Sequence, residues 1–376
     1  MFIKFWKEGS RVNREERYMS LAIQMARETV GQTAPNPSVA AVVVKENQVV
    51  GIGVHVKAGE PHAEVHALRM AGEKAEGAEI YVTLEPCSHY GRTPPCAKSI
   101  VEAGISQVYI ASHDPNPKVA GQGVELMKSH GVKVTEGILR QEADALNESF
   151  FHFIQSKRPY VRLKSAMSLD GKIATSTGES QWITGEGARL DGHAYRHQSD
   201  AILVGINTIL ADDPTLTTRI EGGGRQPVRM VLDSHLRTPT SSKLIQNQEA
   251  PTWIFVNNEV EQERIRDFDP YTHVRIVQQA DPQINVEQVL AYAGEQKITS
   301  LLVEGGGTVA DAFVRTGNVD ETVTYIAPKL IGGKDALTPV SGKGIDHLQD
   351  AELFEVSSTE MVGGDVKIVS KKKRGY

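Results

Sequence analysis

Only two cysteines, Cys87 and Cys96, occur in 376 residues. That excludes a disulfide framework and reads as a chain of a reducing compartment, the cytoplasm. Long apolar runs are missing as well. The longest, Val39 to Val44, falls far short of the roughly 20 residues that a membrane-spanning helix needs. The first residues, MFIKFWKEGSRVNREERYM, hold no apolar stretch of signal-peptide length and no small-residue cleavage site, so no export is expected. Basic charge is not in excess either: 41 Lys and Arg face 47 Asp and Glu, for a net charge of −6. This argues against a nucleic-acid partner held by bulk charge and leaves room for a small anion in a local basic pocket. There is no GxGxxG dinucleotide fingerprint, no internal repeat and no low-complexity stretch. What is present is an ordinary globular composition, 40% hydrophobic and 23% charged. At about 150 residues per domain, the length leads to two or three domains.

The first half alternates helix and strand patterns. Residues 18–30 place apolar side chains at helical spacing. Two Val-rich strands, VAAVVVKE and QVVGIGV, follow, joined by a turn at Glu46-Asn47. A helix is expected from His62 to about Lys74, then strand EIYVTL, helix CAKSIVEA, strand QVYIAS, helix VELMKSH and strand VKVTEG. This is a layered α/β domain with helices packed on a sheet. Residues 139–154 read as one apolar helix, and Pro159 marks the domain joint. The expected domains are residues 15–157 and 158–370. The second is also α/β, with strands YVRLKSAMS, AILVG, VRMVLD, TWIFV, HVRIV and SLLVEG. The basic KKKRGY end reads as a solvated tail.

The residues richest in chemistry are His62-Ala63-Glu64, Glu85-Pro86-Cys87 and Cys96. One imidazole and two thiolates suit Zn²⁺ with three protein ligands and an open fourth position. A metal there lowers the pKa of water, and a carboxylate outside the ligand set can carry a proton to a leaving amine. This is the logic of the H-x-E…P-C-x-x-C signature of zinc nucleobase deaminases. Residues two apart on a regular helix face opposite sides, so His62 and Glu64 converge only if His62 stands at the helix entrance, after Pro61. Thr93-Pro94-Pro95 reads as a cap and first-turn prolines, which puts Cys96 in a first helical turn where a thiolate is favoured. His66, four residues from His62, is a rival ligand read here as packing. Eight residues, SHYGRTPP, separate the cysteines instead of two.

The segments APNPSVAAVVV, GVHVKAGEPHAE, VTLEPCSHYGRTPPC and ASHDPNPKVAGQG together resemble the deaminase half of the bifunctional riboflavin-biosynthesis deaminase–reductases. The resemblance implies that His62, Cys87 and Cys96 bind zinc and that Glu64 shuttles the proton. It also implies that Asn36, His55, His89, Arg92, Asp114 and Asn116 hold the pyrimidine, ribose or phosphate. Two positions depart from the family pattern: Ala40, where glycine is usual, and Gln122, where a basic residue is usual.

The second half, through YVRLKSAMSLDGKIAT, GESQWITG, ARLDGHAYRHQSDAILVGINTILADDPTLTTR and LLVEGGGTVADAF, resembles the reductase half of the same family. On its own, LLVEGGGTVADAF reads only as a strand-to-helix turn whose amides can face a phosphate. The resemblance adds residue roles. Ala166, Trp182, Thr208, Asp212, Ser234 and the run Gly306, Gly307, Thr308, Val309, Ala310, Asp311 and Ala312 would bind NADPH. Lys164, Ser180, Arg196, Leu216, Arg219 and Glu304 would bind the substrate's ribose and phosphate. Guanidinium forks suit a phosphate monoester, which fits Arg196 and Arg219 to that part.

The fold implied is a three-layer cytidine-deaminase-like domain followed by a dihydrofolate-reductase-like α/β domain. The chemistry implied is hydrolytic deamination of a phosphorylated diaminopyrimidine, then NADPH-dependent reduction of its ribosyl group. The expected partners are that small molecule, no nucleic acid, no membrane and a second copy of the chain, as a dimer or tetramer. The other readings are a cytidine or RNA-editing deaminase with an accessory domain, a scaffold whose zinc has four protein ligands, and an enzyme with one degenerate half.

Overall fold

The structure, a computed structural model, describes residues 13–88, 95–116 and 121–373. The chain divides into two compact units, Met1–Ser156 and Lys157–Tyr376.

In the first unit the strands are β1 (Ala40–Lys45), β2 (Gln48–Val54), β3 (Glu79–Leu84), β4 (Gln107–Ser112) and β5 (Lys133–Glu136). They form one sheet in the order β2-β1-β3-β4-β5. β1 runs antiparallel to β2 and β3, whereas β3, β4 and β5 are parallel. Glu46 and Asn47 both take positive φ, the geometry that a two-residue hairpin loop requires between right-twisted strands. Both faces of the sheet are covered, which is why β1 is apolar without alternation. Ala41 and Val43 face a cluster with Ala63, Ala67, Ile100 and Met127. Ala40, Val42 and Val44 face Tyr18, Met19, Ala22 and Ala143 on the other side. Three layers result.

Two elements differ from the periodicity. The first helix is Arg14–Arg27, starting earlier than the apolar pattern, because Asn13 and Glu16 close a capping box. The apolar stretch 139–154 is two helices, Arg140–Leu146 and Glu148–Ser156. At the break, the Asn147 carboxamide binds the backbone of Ser38 as a strand would: the Ser38 amide donates to Oδ1 at 2.8 Å, and Nδ2 donates to the Ser38 carbonyl at 2.9 Å.

The second unit contains β6 (Tyr160–Ser168), β7 (Ala201–Gly205), β8 (Val228–Leu232), β9 (Thr252–Val256), β10 (Val274–Gln278), β11 (Ser300–Val303), β12 (Glu321–Ala327), β13 (Phe354–Val362) and β14 (Asp365–Lys372). The sheet order is β10-β9-β8-β7-β11-β6-β12-β14-β13. The first seven in that order are parallel, and β14 and β13 close the sheet antiparallel. The last three strands go beyond the six expected from sequence. β13 is exposed along most of its length, so it has no buried face to write an apolar alternation.

The neighbouring strands β7 and β11 send their helices to opposite faces. Helix Ile206–Asp212 packs with Ile202, Val204 and Ile254. Helix Gly307–Arg315 packs with Ala201, Leu203 and Phe255. A crevice therefore opens at the carboxyl ends of β7 and β11, the place where parallel α/β sheets bind ligands.

Candidate functional site

In the first unit, Pro61 holds His62 in extended backbone (φ −74°, ψ 165°) as the N-cap of helix Ala63–Ala71. The ring therefore leaves the helix and turns back toward Glu64. Cys87 lies just past the end of β3, and Cys96 is the first residue of helix Cys96–Glu102. The cap residue there is Pro95; Thr93 and Pro94 lie outside the described residues. His62 Nδ1 lies 3.6 Å from Cys87 Sγ and 3.3 Å from Cys96 Sγ. A tetrahedral zinc with ordinary bond lengths separates its sulfur and nitrogen ligands by about 3.6 Å, so this donor set fits that ion. Among the described residues, these three are the His, Cys, Asp or Glu group placed to hold a metal. The Cys96 amide donates to Cys87 Sγ at 3.4 Å, so the start of this helix supports Cys87 directly as well as Cys96.

Glu64 is buried, and its Oε2 has no hydrogen-bond partner among the described residues. Burial first, then the Cys87 charge, push its carboxyl up to about 7. A carboxyl at that value can both take and give a proton near neutrality. Of the two thiols, Cys87 ionises first. The hydrogen bond from Cys96, and then that from His62, hold it at about 4 against the opposing effect of burial. Cys96 is raised, first by its bond to Cys87 and then by burial.

His55 and Asn36 stand beside this group. The rings of His55 and His62 meet edge to face at 5.3 Å. His55 Nδ1 is 3.2 Å from the Pro61 carbonyl, so it carries the proton and donates there. Its Nε2 then accepts from Asn36 Nδ2 at 3.1 Å. Burial lowers the His55 pKa and keeps the ring neutral. Ala40 accommodates its methyl in the core, fully buried, with its amide donating to Thr83 Oγ1 at 3.1 Å. Asp114 and Asn116 form an Asx turn after β4, with the Asn116 amide donating to Asp114 Oδ1 at 2.8 Å. Gln122 receives the Ser88 hydroxyl at 3.5 Å. His89 and Arg92 lie outside the described residues. His66 Nε2 is buried without a partner among the described residues, on the helix packed over Gly53.

In the second unit, a cleft of about 1210 Å³ opens at the crevice between β7 and β11. Lys164, Ala166 and Ser180 line it, with Thr208 and Asp212 from the helix after β7. Glu304, Gly306, Ala310 and Asp311 line it from the β11 side. A smaller cleft of about 440 Å³ is lined by Ser234, Thr308, Val309 and Ala312 and shares Asn207, Thr208 and Gly306 with the first. Most of the residues expected to bind cofactor therefore meet along one continuous groove. Gly307 is packed beneath it: an added Cβ would lie 2.5 Å from the Thr338 carbonyl oxygen.

Besides Gly307, four expected residues do not line these clefts. The Trp182 ring is 62% exposed under the Arg189 guanidinium, 4.7 Å from its centroid. Leu216 points into the core, so only its backbone is left for a ligand. Arg196 is held by Glu304 through two bonds, Nε to Oε1 at 2.9 Å and Nη2 to Oε2 at 2.8 Å. Burial raises the Glu304 carboxyl, but Arg196 and Lys164 outweigh it and hold it at about 2. Arg219 is exposed. Asn207, His235 and Arg237 also line the smaller cleft and escaped the sequence reading. Their one signal is position, immediately after the apolar strands β7 and β8.

Comparison with known proteins agrees with both halves. A model of the cytidine and deoxycytidylate deaminase zinc-binding region matches residues 12–112, and one of the RibD C-terminal domain matches residues 159–366. The riboflavin biosynthesis protein RibD of Bacillus amyloliquefaciens is 46% identical over 363 residues, covering 96% of this chain and 97% of that protein. A RibD structure from Acinetobacter baumannii superposes with a TM-score of 0.86 at 37% identity, covering 96% of this chain and 99% of that one. A diaminohydroxyphosphoribosylaminopyrimidine deaminase/5-amino-6-(5-phosphoribosylamino)uracil reductase from Thermotoga maritima does so with 0.86 at 36% identity and the same coverage. With a deaminase-like domain ahead of a reductase domain over nearly its whole length, the chain belongs to the RibD family, the bifunctional zinc deaminases and reductases of riboflavin biosynthesis.

Proposed function

We propose that the first unit removes the amine from 2,5-diamino-6-ribosylamino-4(3H)-pyrimidinone 5′-phosphate and that the second reduces the ribosyl group of the resulting uracil to a ribityl chain. The observation that carries the first half is the convergence of His62, Cys87 and Cys96 beside the buried Glu64, whose Oε2 has no partner among the described residues. Zinc, when bound to those three, supplies Lewis acidity and an acidified water. Glu64 accepts a proton beside the amino-bearing carbon and delivers it to the departing ammonia. Asn36, held by neutral His55, presents fixed polar atoms to one edge of the pyrimidine, and His55, His89, Arg92, Asp114 and Asn116 are assigned to supporting the pyrimidine, ribose or phosphate.

In the second unit NADPH supplies the hydride, along the groove formed by Ala166, Thr208, Asp212, Ser234 and Gly306–Ala312, with Trp182 at its rim. Lys164, Ser180 and Glu304 orient the opened sugar so that its C1′ meets the nicotinamide. Arg219 and the Leu216 backbone hold its phosphate end, with Arg196, whose fork faces Glu304, bracing the Thr217 carbonyl beside them. A homo-oligomer, dimer or tetramer, is part of this proposal; the outer edge strand β13 has exposed Val356 and Met361 and unpaired edge groups for a second copy. No helix among the described residues is long and apolar enough to cross a membrane, and the proposed site of action is the cytoplasm.

The test is product analysis with the diaminopyrimidine phosphate. The uracil phosphate should accumulate without NADPH, and the ribityl product should form when NADPH is added. Reduction without prior loss of ammonia would contradict the order.

A further inference from the structure

The loop that carries Arg219 is fixed at every residue by side chains from elsewhere in the second unit. Arg229, a fully buried guanidinium, donates to the Thr215 carbonyl at 3.4 Å. Leu216 sits in the left-handed region (φ 54°), a strained position for a branched side chain, and is anchored in the core. Arg196 donates to the Thr217 carbonyl at 3.1 Å. The Gln226 carboxamide closes both backbone groups of Thr218: the amide donates to Oε1 at 2.7 Å, and Nε2 donates to the carbonyl at 3.1 Å. The Arg219 amide donates to His193 Nδ1 at 3.2 Å. That bond requires an unprotonated Nδ1. Burial and the Arg196 and Arg219 charges keep the ring neutral, with a pKa near 4.

After this series of constraints, the Arg219 guanidinium is exposed and makes no hydrogen bond or ion pair among the described residues. Ordering a loop costs conformational entropy, and here that cost fixes the backbone on both sides of one unpaired cation. A backbone fixed in advance lets a guanidinium fork meet an anion with less left to order on binding.

We propose that Gln226 and His193 are positioning residues for the reductase substrate: they hold the backbone of Thr218 and Arg219 so that the Arg219 fork is presented to the substrate's phosphate. Neither touches the reacting atoms. The inference rests on the reading that Arg219 meets that phosphate. Gln226 matters most, because its single carboxamide pairs both backbone groups of Thr218, as a strand neighbour would.

The experiment compares reduction of the uracil phosphate substrate and its 5′-dephosphorylated form by the full chain carrying Arg219→Ala, Gln226→Met or His193→Phe. Thermal unfolding establishes that each variant is folded. Gln226→Met is nearly isosteric and loses both bonds, while His193→Phe serves if that variant fails to fold. The expected result for either positioning variant is a KM for the phosphorylated substrate raised about tenfold, as loss of hydrogen bonds of ordinary strength would give. kcat should stay within about twofold, as expected when only uniform substrate binding is lost, and KM for the dephosphorylated form should not change. Arg219→Ala should erase the same preference for phosphate. If Arg219→Ala erases it and both other variants keep it, the positioning role is wrong while the phosphate reading stands. If Arg219→Ala keeps it, the phosphate reading falls and takes this inference with it. An equal rise in KM for both substrate forms would show a general structural role and overturn the proposal.

Discussion

At the scale of single residues, the meeting of His62, Cys87 and Cys96 was legible because metal binding demands rare residue types. Two cysteines in the whole chain, an HAE triplet and a proline before each thiol left few other readings. The need for His62 to stand at a helix entrance also followed from helix geometry, and the extended N-cap is what the structure contains. The sequence did not reveal that the Cys96 amide points at the other thiol, since that depends on where the turn after β3 meets the helix. In the second unit, the Arg196–Glu304 fork joins two residues 108 apart in sequence, beyond any periodic signal.

Two predictions belong at this scale. Cys87→Ser and Cys96→Ser should each lose zinc and deamination together, because a serine hydroxyl is a far poorer, mostly protonated ligand; metal analysis of the purified variants reads this directly. Full zinc occupancy in both would remove the ligand assignment. The Glu304 carboxyl is held at about 2, below its usual 4.5, so it gives stability that is complete above about pH 4.5 and lost as pH falls toward 2. Glu304→Gln should therefore flatten the acid limb of unfolding in that window, followed by tryptophan fluorescence. An unchanged acid limb would show that the ion pair adds no pH-dependent stability.

At the scale of elements, the strands with two covered faces were visible as unbroken apolar runs. β13, exposed along most of its length, was not, and neither were β12 and β14, where Thr322, Thr324, Lys367 and Lys371 interrupt the apolar run. The break at Asn147 was hidden because its cause is a tertiary pairing with Ser38. Close backbone approaches were equally silent. Gly53 on β2 lies against helix Ala63–Ala71, where an added Cβ would come within 2.1 Å of the Ala63 carbonyl oxygen. Gly123 leaves no room for a Cβ either, with the Pro86 carbonyl oxygen 2.1 Å away, one residue from Cys87. Backbone cannot yield as a flexible side chain does. Gly123→Ala should destabilise the unit by about 1–3 kcal/mol, as overpacking does. It should also weaken zinc binding by shifting the turn that carries Cys87. A chelator competition set beside denaturant unfolding tests both; unchanged stability and zinc retention would mean that the turn moves freely.

At the scale of the whole molecule, the account assigns two chemistries to two compact units, divided between Ser156 and Lys157. On the proposed reading, the proton shuttle belongs to the first and the residues that deliver hydride lie in the second. If the two sites act separately, Glu64→Gln divides the two rates. Glu64 lies outside the proposed ligand group of His62, Cys87 and Cys96 and the amide is nearly isosteric, so the variant should fold and retain zinc. Given the diaminopyrimidine phosphate, it should deaminate about 10²–10⁴-fold more slowly, the usual scale of lost general acid–base catalysis. Given the already deaminated uracil phosphate and NADPH, it should reduce it at close to the wild-type rate. If both rates fall together in a folded, zinc-loaded variant, the two-site account is contradicted.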